Sequence, residues 1–186
     1  AVVINAGDGT HEHPTQAILD MMSLQEKFGY IKGLNVGIVG DINHSRVARS
    51  NIYGLVTMGA NVTLCGPPNL IPDNIINLGV KVNYNIDEVI EWADAVNVLR
   101  IQRERMGIGI IPSEREYRTL FGVTEERLAR RGNELVIMHP GPMNRGVEID
   151  DRVADSDQAI ILDQVLNGVA SRMSILYLLL GSKEEG

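Results

Sequence analysis

Short apolar runs recur along the chain, separated by stretches whose apolar residues return with helical spacing. The runs are "VVIN" (2–5), "NVGIVG" (35–40), "NVTLCG" (61–66), "VKVNY" (80–84), "DAVNVL" (94–99) and "ELVIMH" (134–139). Helical spacing covers 14–28, 45–58, 71–78, 86–92, 113–130 with a break, and 158–180. Strands that alternate with helices pair in parallel through crossover helices. The expected fold class is therefore α/β: a three-layer α/β/α open parallel sheet, doubly wound and Rossmann-like, in a single domain. "VGIV" is almost wholly apolar, as a central parallel strand covered on both faces requires.

The polar positions at the helix starts add detail. In "HEHPTQAILDMMSLQEKFG", Pro14 suits the first helical position and Gly29 the stop, which makes His13 the N-cap. Gln16 then falls at N3 of an arrangement resembling a capping box. At the N-cap the positive end of the helix dipole disfavours an imidazolium, so a neutral His13 with an N–H to donate is expected. The helix at 45–58 stops at Gly59 and carries Arg46 and Arg49 in its first turns. A cation there costs a few tenths to about 1 kcal/mol, and an anion bound between arginine and helix end reverses the sign.

The turn that feeds this helix, "VGIVGDINHSRVARS", stands where a dinucleotide-binding unit carries G-x-G-x-x-G. Here Gly37 and Gly40 are followed by Asp41-Ile42-Asn43-His44, with no glycine where a pyrophosphate would approach. A nucleotide site is not expected. The glycine makes a tight turn and Asp41 is a candidate cap.

Composition narrows the function classes. A length of 186 residues with 44% apolar content suits one packed domain. The net charge of −7 disfavours general binding to nucleic acid or anionic membranes, and no basic stripe interleaved with aromatics occurs. No apolar run is long enough to span a bilayer and "AVVINAGDG" has no signal-peptide pattern, so a soluble, cytoplasmic protein is expected. The single Cys65 allows no internal disulfide and has no metal-ligand spacing around it, which leaves buried packing. The chain opens inside an apolar run, from which we expect a polypeptide whose amino-terminal part is absent. The tail "GSKEEG" is expected to fray.

Open α/β sheets bind ligands beyond the carboxyl ends of their strands. His13, Arg46, Arg100, Gln102 and His139 all fall just after an expected strand or at the helix start that follows one. Each has an ordinary explanation by itself: His13 as a cap, Arg46 as a solvated arginine, "RIQRER" (100–105) as a solvated charge run, His139 as a loop residue among prolines. Gathered at one edge, neutral donors and guanidinium groups suit a small di-anion or a carbonyl-bearing substrate.

The segments "NAGDGTHEHPTQAILD", "VGDINHSRVARSN", "LRIQRER" and "MHPGPMNRGVEID" occur in the order and spacing found in one enzyme family. Over nearly its whole length the chain resembles the carboxyl-terminal, aspartate-binding domain of the aspartate carbamoyltransferases. "HPTQ" is shared with the ornithine enzymes, whereas "HPGPMNRG" points to aspartate, because ornithine enzymes carry "HCLP" there. The resemblance implies a one-carbon-group transferase that moves the carbamoyl group of carbamoyl phosphate to L-aspartate, giving N-carbamoyl-L-aspartate, a pyrimidine precursor, with no metal and no cofactor. It implies that His13 donates to the carbamoyl oxygen, and that Gln16 with the backbone carbonyls of Pro140 and Gly141 holds the carbamoyl amino group. It assigns Arg46 and Arg100 to the aspartate carboxylates and Gln102 to completing the site; Glu104, four residues after Arg100, is spaced to orient that arginine, with an exposed helical pair as its ordinary explanation. The stretch from Gln102 to Ser113 resembles the family's closing loop.

One feature of the family is missing from the sequence: the S-x-R-T-R motif of the amino-terminal domain that binds phosphate. Carbamoyl transfer by this chain alone is therefore not expected, and a standalone amino-acid or anion-binding domain is the alternative. The family further implies a homotrimer of full-length chains, in some members with regulatory chains or dihydroorotase. With the amino-terminal part absent, a monomer or weak association is expected.

Overall fold

The computed structural model describes residues 2–101, 113–131 and 134–181. Helix α1 (Pro14–Phe28) leads into β1 (Asn35–Val39), α2 (Arg46–Thr57) and β2 (Asn61–Cys65). Two 3-10 turns, Pro68–Leu70 and Ile75–Leu78, precede β3 (Lys81–Val82), α3 (Ile86–Trp92) and β4 (Ala95–Val98). Then come α4 (Glu114–Phe121), α5 (Glu125–Arg131), β5 (Val136–Met138), α6 (Asp151–Ala154) and α7 (Ile161–Leu180).

The five strands form one parallel sheet in the order β3-β2-β1-β4-β5. Chain direction outward from β1 reverses between β1 and β4, which makes the gap beyond their carboxyl ends the switch point of the sheet. Strand residues alternate between two cores. Val36, Ile38, Ala95, Val136 and Met138 face one side with Leu24, Ile52 and Leu55, while Val39, Val96, Val98 and Ile137 face the other with Ile86, Val89 and Leu128. Helices α1, α2 and α7 therefore cover one face, and α3 and α5 the other, as the expected three-layer architecture requires.

Two expected elements are absent and one is new. "VVIN" (2–5) is not a strand: Val3 is 88% exposed, and an apolar run without a neighbouring edge has nothing to pair with. Residues 71–78 form only a 3-10 turn, because Pro72 and Gly79 bracket too short a stretch for an α-helix. The short helix Asp151–Ala154 has no counterpart among the helical runs of the sequence.

The glycines of the first turn serve packing. A Cβ on Gly37 would come 2.9 Å from Val89 Cγ1, so its absence lets α3 lie against β1. Gly40 has φ +134° and its missing Cβ would come 2.9 Å from the Leu99 Cβ. Cys65 is fully buried at the end of β2, and burial pushes its thiol up to about 12.

Helix α7 is turned inside out relative to an ordinary surface helix. Its buried stripe includes Gln164, Asn167 and Ser171, whereas Leu162, Val165, Leu166, Val169 and Met173 are exposed. Side-chain hydrogen bonds join the polar stripe to α1: Gln164 Nε2 donates to Asp20 Oδ1 at 2.8 Å, and Asn167 Nδ2 donates to Ser23 Oγ at 3.0 Å. Among the described residues no helix is long and apolar enough to cross a membrane.

Candidate active site

The first turn of α2 brings Arg46 to the switch point from the β1 side, and Arg100 follows β4 on the other side. Ser45 is the N-cap of α2; its Oγ accepts from the Ala48 N–H at 3.1 Å. Asp41, expected as a cap, instead accepts from the backbone and ring of His44, with Oδ1 at 3.1 Å and 3.0 Å. Arg46 reaches back to Gly7, whose φ of +122° and missing side chain leave the guanidinium its place.

His13 caps α1 by position, but its side chain makes no capping bond. The capping box expected with Gln16 does not form, since the His13 N–H donates to Ser50 Oγ at 2.9 Å and Gln16 Nε2 donates to Asp20 Oδ1 at 3.0 Å. The Thr15 hydroxyl lies 3.3 Å from His13 Nδ1. The ring is held neutral at pH 7, because burial and then the nearby charges of Arg46 and Arg172 lower its pKa below the ordinary 6.5. The expected protonation state is thus present, with desolvation and two arginines as its causes.

A cleft of about 200 Å³ opens beside Gln16, lined also by His139, Pro140, Gly141, Gln164 and Arg172. Four residues singled out from the sequence, Gln16, His139, Pro140 and Gly141, thus share one cavity. The loop Pro140–Gly141 leaves β5 with φ +64° at Gly141 and a cis Gly141–Pro142 bond. His139 braces this loop from below: its N–H donates to Gln164 Oε1 at 2.9 Å, and its Nδ1 accepts from the Gly141 N–H at 2.9 Å. Nε2 therefore carries the proton and faces Glu148 Oε1 at 3.3 Å, with both side chains fully buried. His139 is a scaffold residue whose ring has no donor left for a ligand.

Gln102 and Glu104, with most of the loop expected to close, lie outside the described residues. Sequence reasoning missed Asp20, Glu148 and Arg172. Asp20 and Glu148 read as ordinary helix and loop carboxylates, and Arg172 stands alone in an apolar helix. Among the described residues no cluster of three or more metal-ligating side chains occurs.

The molecule is a doubly wound α/β domain whose cleft beside Gln16 is lined by His139, the Pro140–Gly141 loop, Gln164 and Arg172, while His13, Arg46 and Arg100 are not among the residues that line it. Residues 32–179 match the family model "Aspartate/ornithine carbamoyltransferase, Asp/Orn binding domain". The chain belongs to the aspartate/ornithine carbamoyltransferase family and carries its Asp/Orn-binding domain. It is 59% identical over 185 residues to the aspartate carbamoyltransferase catalytic subunit of Carboxydothermus hydrogenoformans, covering 99% of this chain and 59% of that protein. The catalytic subunit of M. jannaschii aspartate transcarbamoylase superposes with a TM-score of 0.79 at 32% identity, over 97% of this chain and 60% of that one. Aspartate transcarbamoylase from Trypanosoma cruzi, in complex with aspartate and phosphate, gives 0.77 at 26% identity, over 95% and 56%. The chain thus spans about three-fifths of the length of these relatives.

Proposed function

We infer that this chain supplies the aspartate-binding half of a carbamoyl-transfer active site. The aspartate amine attacks the carbonyl carbon of carbamoyl phosphate, a tetrahedral intermediate forms, and phosphate leaves to give N-carbamoyl-L-aspartate. The observation that supports this reading is the His13 ring, kept neutral by burial and by the charges of Arg46 and Arg172, in a sheet whose switch point lies between β1, which leads to Arg46, and β4, which leads to Arg100. A neutral ring offers an N–H to the carbamoyl oxygen, and that hydrogen bond strengthens as negative charge develops there. The Nε2–H tautomer, in which Nδ1 accepts from the Thr15 hydroxyl 3.3 Å away, leaves Nε2 as the donor.

Forked guanidinium groups at Arg46 and Arg100 match the two carboxylates of aspartate, which a lysine would bind only as a point charge. Gln16 Oε1 and the carbonyls of Pro140 and Gly141 accept from the carbamoyl amino group. Gln102 completes the pocket and Glu104 orients Arg100. Every step uses side chains and backbone of ordinary protein, with no metal or cofactor.

The phosphate requires a second unit. The curated relative is longer than this chain, and the exposed apolar face of α7 suits a carbamoyl-phosphate-binding unit packed over it. The full assembly is a homotrimer in the cytoplasm, and the isolated chain is monomeric or weakly associated, which sedimentation tests.

The functional test mixes this chain with the separately produced amino-terminal segment of the C. hydrogenoformans relative and supplies carbamoyl phosphate with aspartate or ornithine. Product is expected only in the mixture and only with aspartate. Two folded pieces without product would leave a standalone anion-binding domain as the better reading.

A further inference from the structure

The carboxylate of Asp20 is 1% exposed and accepts four hydrogen bonds from side-chain amides. Oδ1 takes the Nε2 groups of Gln16 at 3.0 Å and Gln164 at 2.8 Å. Oδ2 takes the Nδ2 groups of Asn51 at 2.7 Å and Asn97 at 3.3 Å. The four donors come from α1, α7, α2 and β4, so one carboxylate joins the helical layer to the sheet. Its pKa is raised, because burial outweighs the four amide hydrogen bonds that lower it. With each oxygen already holding two N–H groups, a proton on Asp20 would find no acceptor.

An ionised carboxylate only accepts. Any amide that touches it must turn its NH2 inward and its carbonyl oxygen away. At Asn51 and Asn97 the outward oxygens are buried and unpaired, a cost that the inward bonds impose. At the two glutamines the outward oxygens are put to use. Gln164 Oε1 accepts from the His139 N–H and so fixes the start of the Pro140–Gly141 loop, while Gln16 is left with Oε1 for the cleft that it lines.

We propose that Asp20 is the positioning residue of this site: through Oδ1 it sets the amide sense of Gln16 and Gln164, presenting an acceptor to the cleft and anchoring the loop that supplies the other acceptors. The loop anchor stands on geometry alone. The assignment of the Gln16 oxygen to a carbamoyl amino group rests on the carbamoyl-transfer reading.

Hydrogen exchange in the 186-residue chain tests the anchor without any activity. In Asp20→Leu the His139 amide is expected to exchange about tenfold faster or more, while the amides of Val136 and Ile137 on β5 keep their protection. Asp20→Asn still offers one oxygen to both glutamines and retains the His139 protection. Should Asp20→Leu fail to fold, Gln164→Leu carries the test, with the same acceleration at His139 and unchanged Gln16 side-chain amide signals. Unchanged His139 exchange in a folded Asp20→Leu or Gln164→Leu chain overturns the proposal.

In the mixed assay, Gln164→Leu is expected to lower kcat about tenfold with the aspartate KM within about threefold. A raised KM with unchanged kcat overturns the link to chemistry. An inactive wild-type mixture refutes the carbamoyl-transfer reading and leaves the exchange result to judge the anchor.

Discussion

The Arg46 guanidinium lies against Gly7, where an added Cβ would come 2.7 Å from Nη1 and 2.8 Å from Cζ. The two residues belong to separate parts of the chain, an exposed loop before α1 and the first turn of α2. A side chain at Gly7 would face both a φ of +122° and this contact.

Gly7→Ala is therefore expected to displace Arg46 rather than weaken the core. The backbone conflict is worth about 1–3 kcal/mol, and an exposed loop relieves it by moving. In the mixed assay the aspartate KM should rise about tenfold, the scale of a lost hydrogen bond to a charged group. Thermal unfolding should stay within a few degrees of wild type. A normal KM would show that Arg46 tolerates the intrusion.

The His13 ring is expected to titrate below 6.5, and Arg172→Ala should bring its midpoint back upward. The folded state disfavours the imidazolium more than the unfolded state does. The stability tied to this group is therefore present above pH 6.5 and is lost as pH falls through the lowered folded value. Proton NMR of the ring reads the midpoint directly. A midpoint above 6.5 would mean that the two arginines and burial do not govern the ring.

Glu148 is fully buried and accepts from both the His139 ring and the Asn144 N–H. Glu148→Ala would leave the buried His139 ring donor and the half-buried Asn144 N–H unsatisfied as well as a cavity, so we expect a loss of about 3 kcal/mol in denaturant unfolding. Glu148→Gln retains an acceptor and should lose less. Equal losses in the two variants would show that the hydrogen bonds carry none of the effect.

Pattern reading succeeded where structure is local. Pro14 and Gly29 bracket α1 at Pro14–Phe28, and the apolar "VGIV" sits at the centre of the sheet as β1. It failed at "VVIN" because a strand exists only where another edge accepts it, and apolar content says nothing of that edge. The positions of Arg46 and Arg100 were legible because both follow strands, and topology alone carries them to the switch point. The Asp20 cluster was not: Asn51, Asn97 and Gln164 lie 31, 77 and 144 residues away in sequence, and polar residues that meet only in three dimensions leave no periodic trace. The tautomer of His139 was equally hidden, since it depends on Glu148 and on the Gly141 N–H.

Helix α7 has a cleft side and an apolar outer side, with Gln164, Val165, Gly168 and Arg172 on the first and Leu162, Leu166, Val169 and Met173 exposed on the second. A helix is stiff over its length, so the two sides cannot shift independently. The helix is thus one rigid mount for the glutamine that holds the Pro140–Gly141 loop and the arginine whose charge lowers the His13 pKa, so displacing one displaces the other.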